Sequence, residues 1–186
     1  MYNLKICLLG DGAVGKTSLR NRYMGKGFKS TYLQTVGADF SIKEENVGVP
    51  LRFQIWDLSG QQTFDRVRSM YYTGTKGLVL VYDVTRPDSL ENIINWVEEV
   101  KKFIKEPIPA LLIGNKIDIR DEEEPTHIKA EMGVKILPII AEKLNQEKIP
   151  IIFIEASAKT GENVTEAFKK LAETFYQYFI RPDMNK

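Results

Sequence analysis

The residues Gly10-Asp-Gly-Ala-Val-Gly-Lys-Thr17 bring three glycines, a lysine and a hydroxyl together at the spacing G-x-x-x-x-G-K-[ST]. The chemistry open to such a loop is the capture of an oligophosphate. Glycines at 10, 12 and 15 let the chain take dihedrals closed to other residues and keep Cβ atoms away from an incoming phosphate. Successive backbone N–H groups then point inward, and the positive end of the following helix dipole faces the same space. Lys16 adds a full charge directed at the β- and γ-phosphates, and Thr17 offers a hydroxyl to Mg²⁺. Gly12, Ala13, Val14, Gly15, Lys16, Thr17 and Ser18 are the candidate phosphate contacts. A glycine-rich turn closing a strand-helix unit without any ligand is the plainer alternative. The full motif, set between a buried strand and a helix, outweighs it.

A second constellation, Asn115-Lys-Ile-Asp118, follows an apolar run that ends at Gly114. In an open α/β sheet that places it at the carboxyl edge, where ligands bind. An aspartate there can accept the ring N–H and the exocyclic amine on the Watson–Crick edge of guanine, and adenine lacks both. Sites built on such bonds discriminate by roughly 10⁴ to 10⁵. Lys116 can lay its aliphatic stem over the base plane. Taken alone, the four residues fit an ordinary strand-end turn with an Asx cap equally well; the phosphate loop tips the reading toward guanine. Downstream, Glu155-Ala-Ser-Ala-Lys159 leads into the last helix. There the backbone of Ser157 and Ala158, with Lys159, can close over the other side of the base.

The third constellation is Asp57-Leu-Ser-Gly60-Gln61. Asp57 ends an alternating strand beside the phosphate loop, where it can hold Mg²⁺ through water. Gly60 can bring its N–H against a γ-phosphate, and Gln61 can orient an attacking water. Gln61 and Lys16 are therefore the candidate catalytic residues.

These groups need a frame. Apolar strands at Leu4–Leu9, Leu78–Tyr82, Ala110–Gly114 and Ile151–Ile154 alternate with helix-period segments, as in a mostly parallel sheet covered on both faces. Asp39–Val47 and Leu51–Leu58 are joined through Gly48, a connection too short for a crossover helix, and read as antiparallel. Helices are expected over Lys16–Met24, from Leu90 to Ile104, and from Pro125 to about Gln146. A C-terminal helix should bury Val164, Phe168, Leu171, Phe175 and Tyr178. The acidic stretch Asp121–Glu124 reads as a solvated loop and His127 as a surface residue.

The 186 residues, 43% of them hydrophobic, suit one domain with a substantial core. Lys and Arg number 26 against 25 Asp and Glu, a net charge of +1 that excludes the broad positive field of a general nucleic-acid binder. The single cysteine, Cys7, excludes an internal disulfide and a zinc thiolate cluster, which fits a reducing cytosol. The N-terminal apolar core, Ile6–Leu9, is too short for a signal peptide or a membrane span.

Together the motifs resemble the Ras superfamily of small GTPases over nearly the whole chain. Gly37-Ala-Asp-Phe40, Gln54-Ile-Trp-Asp57, Ser69-Met-Tyr-Tyr72 and Leu80-Val-Tyr-Asp-Val-Thr85 are most like the Rab branch, while Gly10–Gly15 is nearer the Rho version of the loop. The resemblance implies a P-loop NTPase, small G-protein fold: α/β, with a six-stranded, mostly parallel sheet carrying one antiparallel strand and flanked by about five helices. Residues 1–180 would form one GTP-binding domain and 181–186 a short tail. It further implies that Phe28 packs edge-on to guanine, Tyr32 covers the phosphates, and Thr35 joins Thr17 and Asp57 on Mg²⁺. Phe40, Trp56 and Tyr71 match an aromatic triad presented to effectors; for any one of them, core packing at the hairpin edge is an equal alternative. Ser59 stands where the family has alanine or glycine, which bears on hydrolysis, and Gln62 replaces glutamate, which bears on exchange. The tail Arg181–Lys186 has no cysteine for a prenyl anchor, so a membrane is expected only through a lipid-bearing tail beyond these residues.

The expected activity is slow hydrolysis of Mg²⁺-bound GTP to GDP and phosphate by a monomeric, cytoplasmic or peripheral-membrane switch in signalling or vesicle trafficking. Its partners would be effectors, an exchange factor and a GTPase-activating protein, with no nucleic acid. No arginine lies between Phe28 and Thr35, so no arginine finger comes from that loop. Two rivals stand beside this reading: an ATP-using kinase, which needs an acceptor site and lid, and a scaffold that holds guanine nucleotide without hydrolysing it.

Overall fold

The computed structural model describes residues 1–28, 35–60, 65–146 and 148–184. Six strands run β1 (Tyr2–Leu9), β2 (Ala38–Asn46), β3 (Pro50–Leu58), β4 (Gly77–Asp83), β5 (Ala110–Asn115) and β6 (Ile151–Ala156). They form one sheet in the order β2-β3-β1-β4-β5-β6. Only the β2/β3 pair is antiparallel, as the short connection requires. In that connection Gly48 takes φ +92° and donates its N–H to Asn46 Oδ1 at 3.0 Å, an Asx turn.

The helices are α1 (Lys16–Tyr23), α2 (Asp65–Tyr72), α3 (Pro87–Glu91), α4 (Ile93–Lys101), α5 (Ala130–Lys143), α6 (Val164–Phe175) and α7 (Arg181–Met184). Strands β4 and β5 are buried along their entire length because helices cover both faces. Alternate residues divide between two cores. Leu4, Ile6, Leu8, Val79 and Val81 face α1 and α6, where Tyr23 stacks on Phe168 at 4.1 Å. Cys7, Leu9, Leu78, Leu80 and Tyr82 face α2, α4 and α5. This period-two division buries the sheet on both faces, leaving the loops at the strand ends to carry the site.

The expected elements differ from the observed ones in four places. Helix α2 has no counterpart in the sequence reading. Among its described side chains the buried ones are Arg68 (2% exposed) and Tyr72 (0%), and an arginine does not register in an apolar periodicity. The helix expected over Leu90–Ile104 is two, α3 and α4, separated by a turn at Asn92, and past Val100 the chain tightens into i→i−3 bonds. Helix α5 begins at Ala130 rather than near Pro125, because the preceding residues turn and Ile128 N–H is drawn to Val84 O at 2.7 Å. Tyr178, expected in the core, is 37% exposed. A π-helical turn over Tyr176–Ile180 inserts one residue into the register, so Ile180 (2%) takes the buried place.

Candidate functional site

The loops after β1, β3, β5 and β6 converge on a cleft of about 840 Å³. Its walls include Gly12, Ala13, Gly15, Lys16, Thr17, Ser18, Phe28, Thr35, Gly60, Asn115, Lys116, Asp118, Ala158 and Lys159. The side chains of Val14 and Ser157, also predicted, are fully buried behind the wall. Tyr32, Gln61 and Gln62 lie outside the described residues. All three separately read motifs thus meet in one cleft.

The phosphate loop departs from expectation in one respect. Left-handed backbone occurs at Gly10, Ala13 and Gly15 but not at Gly12, beside which a Cβ would find open space. Gly12 therefore serves by leaving the cleft open rather than by its dihedrals. At Gly15 a Cβ would fall 2.2 Å from Asn115 Nδ2, and that approach lets Asn115 bind the loop. Gly60 lies against the same loop: a Cβ there would fall 2.5 Å from Gly10 O.

Lys16 is 6% exposed, and its Nζ donates to Gly10 O at 2.7 Å and Asp11 O at 2.8 Å. Burial lowers its pKa to about 8, against the raising effects of Asp57 and Asp11, with Arg68 adding to the lowering. An anion in the loop would offset that burial cost.

Thr17, Thr35 and Asp57, predicted as metal ligands, are in contact. Thr17 Oγ1 donates to Asp57 Oδ2 at 2.5 Å. Its single proton thus committed, it accepts from Thr35 Oγ1 at 2.9 Å. Asp57 is fully buried, its carboxyl pushed upward by burial and held down by the Thr17 bond, Lys16 and Arg20. Its Oδ1 has no hydrogen-bond partner among the described residues. An orphaned buried carboxylate oxygen beside two hydroxyls is an oxygen donor set that would suit a hard divalent cation. No group of three or more His, Cys, Asp or Glu suited to a metal occurs among the described residues.

The end of the cleft formed by the loops after β5 and β6 is tightly interlocked. Asn115, 1% exposed, donates from Nδ2 to Val14 O at 2.8 Å and accepts the Ala158 N–H on Oδ1 at 3.1 Å. Asp118 Oδ1 accepts from Ser157 Oγ at 2.6 Å, with Lys159 Nζ 3.7 Å from Oδ2. Lys116 holds a left-handed backbone (φ +72°), and its Nζ lies 2.6 Å from Asp83 Oδ2. Phe28 stands at the rim, 41% exposed.

Several residues of this framework escaped the sequence reading. Asp83 ends a fully buried strand and fastens Lys116; a carboxylate closing an apolar run was the available signal. Arg22 donates from Nε to Ala158 O at 3.0 Å and also reaches Lys159 O. Arg86 Nη1 donates to Gly12 O at 3.0 Å. Asp11 accepts from Trp96 Nε1 and Asn92 Nδ2, both at 2.8 Å, and Arg68 stacks on Trp96 while pairing with Glu99 at 3.0 Å. Nothing in local spacing announces these contacts, which join distant segments.

Outside the cleft, Phe40, Trp56 and Tyr71 form a continuous aromatic patch, with ring centroids 4.9 Å and 5.2 Å apart. Phe40 and Trp56 are cross-strand partners. His127 is half-buried rather than a plain surface residue; its Nδ1 accepts the Asp121 N–H at 2.8 Å and closes the acidic loop. No helix among the described residues is long and apolar enough to cross a membrane.

The Ras family model matches residues 5–177. Ras-related protein Rab-13 of Mesocricetus auratus is 40% identical over 169 residues, 90% of this chain and 77% of that protein. Ras-related protein Rab-8B of Homo sapiens is 36% identical over 172 residues, covering 92% and 77%. Ras-related protein RIC1 of Oryza sativa subsp. japonica is 35% identical over 172 residues, covering 92% and 79%.

Proposed function

The chain belongs to the Ras family of small GTPases, and on that premise we propose that it is a Rab-like switch that binds guanine nucleotide in the cleft and slowly hydrolyses GTP to GDP and phosphate. The observation that carries the reading is Asn115, whose amide ties the phosphate loop to the base loop and so makes one binding site of two motifs.

Asp118 reads the two donors of the guanine edge, held in place by Ser157 and Lys159. Lys116, fastened to Asp83, covers one face of the base, and Phe28 packs at its rim. The amides of residues 12–18 cradle the phosphates, and Lys16 releases the carbonyls of Gly10 and Asp11 to pair with them. Thr17, Thr35 and Asp57 hold Mg²⁺, which when bound supplies charge neutralisation at the β- and γ-phosphates. Gly60 donates its N–H to the γ-phosphate, Tyr32 covers it, and Gln61 orients water for in-line attack. No arginine comes from the loop after α1, so intrinsic turnover is slow, on the order of the 10⁻⁴ s⁻¹ that the general Ras case sets. A GTPase-activating protein supplies the missing charge. The Phe40–Trp56–Tyr71 patch receives effectors, and an exchange factor opens the cleft. The protein works as a cytoplasmic monomer in signalling or vesicle trafficking, and would reach a membrane only where a lipid-bearing tail is present.

Single-turnover hydrolysis of preloaded GTP, with GDP and ATP as competitors, tests the proposal. Slow phosphate release with competition by GDP alone is expected. Tight guanine binding with no release over hours would instead make the chain a non-hydrolysing scaffold, and Ser59, buried in the cleft wall, would be the first residue to replace with alanine. Gln61→Leu should slow release by at least about tenfold; an unchanged rate would remove Gln61 from the chemistry.

A further inference from the structure

Arg20 belongs to none of the motifs. It lies one turn after Thr17 on α1, in the wall of the cleft, with its side chain only 5% exposed. Its Nη1 is 2.6 Å from Asp39 Oδ2 and 3.8 Å from Asp57 Oδ2. Nη2 donates to Asn21 Oδ1 at 3.1 Å, while neither Nε nor Nη1 makes a hydrogen bond among the described residues, so the approach of Nη1 to Asp39 is an ion pair alone. Asp39 and Asp57 stand directly opposite each other in the β2/β3 register. Two carboxylates in paired strand positions thus share one buried guanidinium, and one of the two is the carboxylate suited to the divalent cation. The other is exposed, 57% at its side chain.

We infer that Arg20 is a tethered cation that competes with Mg²⁺ for Asp57, and that Asp39 sets the metal affinity of the cleft by drawing Arg20 away. The inference rests on the reading of the cleft as a Mg²⁺-guanine nucleotide site. A fixed positive charge beside a metal-binding carboxylate opposes a second cation there, and a carboxylate that engages the guanidinium relieves the opposition. The geometry makes Arg20 a positioning residue rather than a catalytic one: it touches the carboxylates and acts through them. Pulling the Asp39 end of β2 aside would hand Arg20 to Asp57 and weaken metal binding.

The test loads the full chain with a fluorescent GDP analogue and follows its release over a series of buffered free Mg²⁺ concentrations. Arg20→Met should lower the half-saturating Mg²⁺ concentration roughly tenfold, because it removes the competing charge and leaves Asp39 unpaired near the metal. Asp39→Asn should raise it by several fold, and Arg20→Lys should leave it within about twofold of the parent. A clamp that merely pins β2 to α1 would be broken by either loss, so it would move both single variants the same way; that result, or no movement in either, overturns the inference. Should Arg20→Met not fold, the exposed Asp39→Asn decides alone: a raised midpoint is expected, and an unchanged or lowered one refutes it. If no protein in the series binds the GDP analogue at any Mg²⁺ concentration, the nucleotide reading itself falls, an outcome distinct from binding with unmoved midpoints.

Discussion

At the base end of the cleft both side-chain atoms of Asn115 are engaged, and Asp118 is held by Ser157 and Lys159. At the metal end Asp57 Oδ1 and Arg20 Nε are buried with no hydrogen-bond partner among the described residues. A buried polar group without a partner costs about 1–3 kcal/mol, and at Asp57 Oδ1 that is a cost a bound cation would relieve. The base end is already assembled. A guanine-specific switch would gain from this division: recognition of the base stays constant through a cycle, while contacts to metal and γ-phosphate depend on what is bound.

Four measurements would break or sharpen that contrast. The largest effect belongs to Lys16→Met, which removes the buried charge facing the phosphates and should weaken GDP binding on the order of 10³-fold; a titration showing less than tenfold would mean that the backbone cradle alone holds the phosphates. Next is Asp118→Ala, for which guanine affinity should fall by about 10²-fold without any gain of ATP binding. Acquisition of ATP binding would show that selectivity comes from exclusion elsewhere in the cleft. Asp83→Asn, which loosens Lys116 behind the base, should cost about tenfold in GDP affinity if that end depends on being preassembled; parent-like affinity in the same titration would show that the Asp83 bond is dispensable.

The smallest effect is a proton. Burial lowers the pKa of Lys16 to about 8, below the 10.5 of an ordinary lysine. Between those values the unfolded chain binds more protons than the folded one, so this group's contribution to stability rises with pH from about 8 to about 10.5 and is unfavourable below that window. Phosphates raise the pKa again, so nucleotide binding above pH 8 should take up a fraction of a proton and weaken as pH rises. Calorimetry at pH 8.5 in buffers of different ionisation enthalpy reads this directly, and uptake that persists in Lys16→Met would assign it to another group.

Much of the site was legible because its chemistry is written in local runs. The glycines and lysine of Gly10–Thr17 fall within one strand-helix turn and stand out by spacing, whereas Asn115–Asp118 differs from an ordinary strand-end turn only when set beside that loop. The sheet was legible for a similar reason: strands buried on both faces read as apolar runs, and the Gly48 connection dictates an antiparallel pair. Helix α2 was not legible, because Arg68 is buried by stacking on Trp96 and pairing with Glu99, residues about thirty positions away. Tyr178 was misplaced because one extra residue in a helical turn rotates everything after it.

The sequence by itself determined the fold class, the phosphate and base motifs, and the family they resemble, since each depends on residues near one another along the chain. Only the tertiary structure decided which charges share a carboxylate. Arg20, Asp39 and Asp57 come from α1, β2 and β3, and an ion pair is a matter of distances in space, falling with separation and with access of water, neither of which is written in the order of the residues.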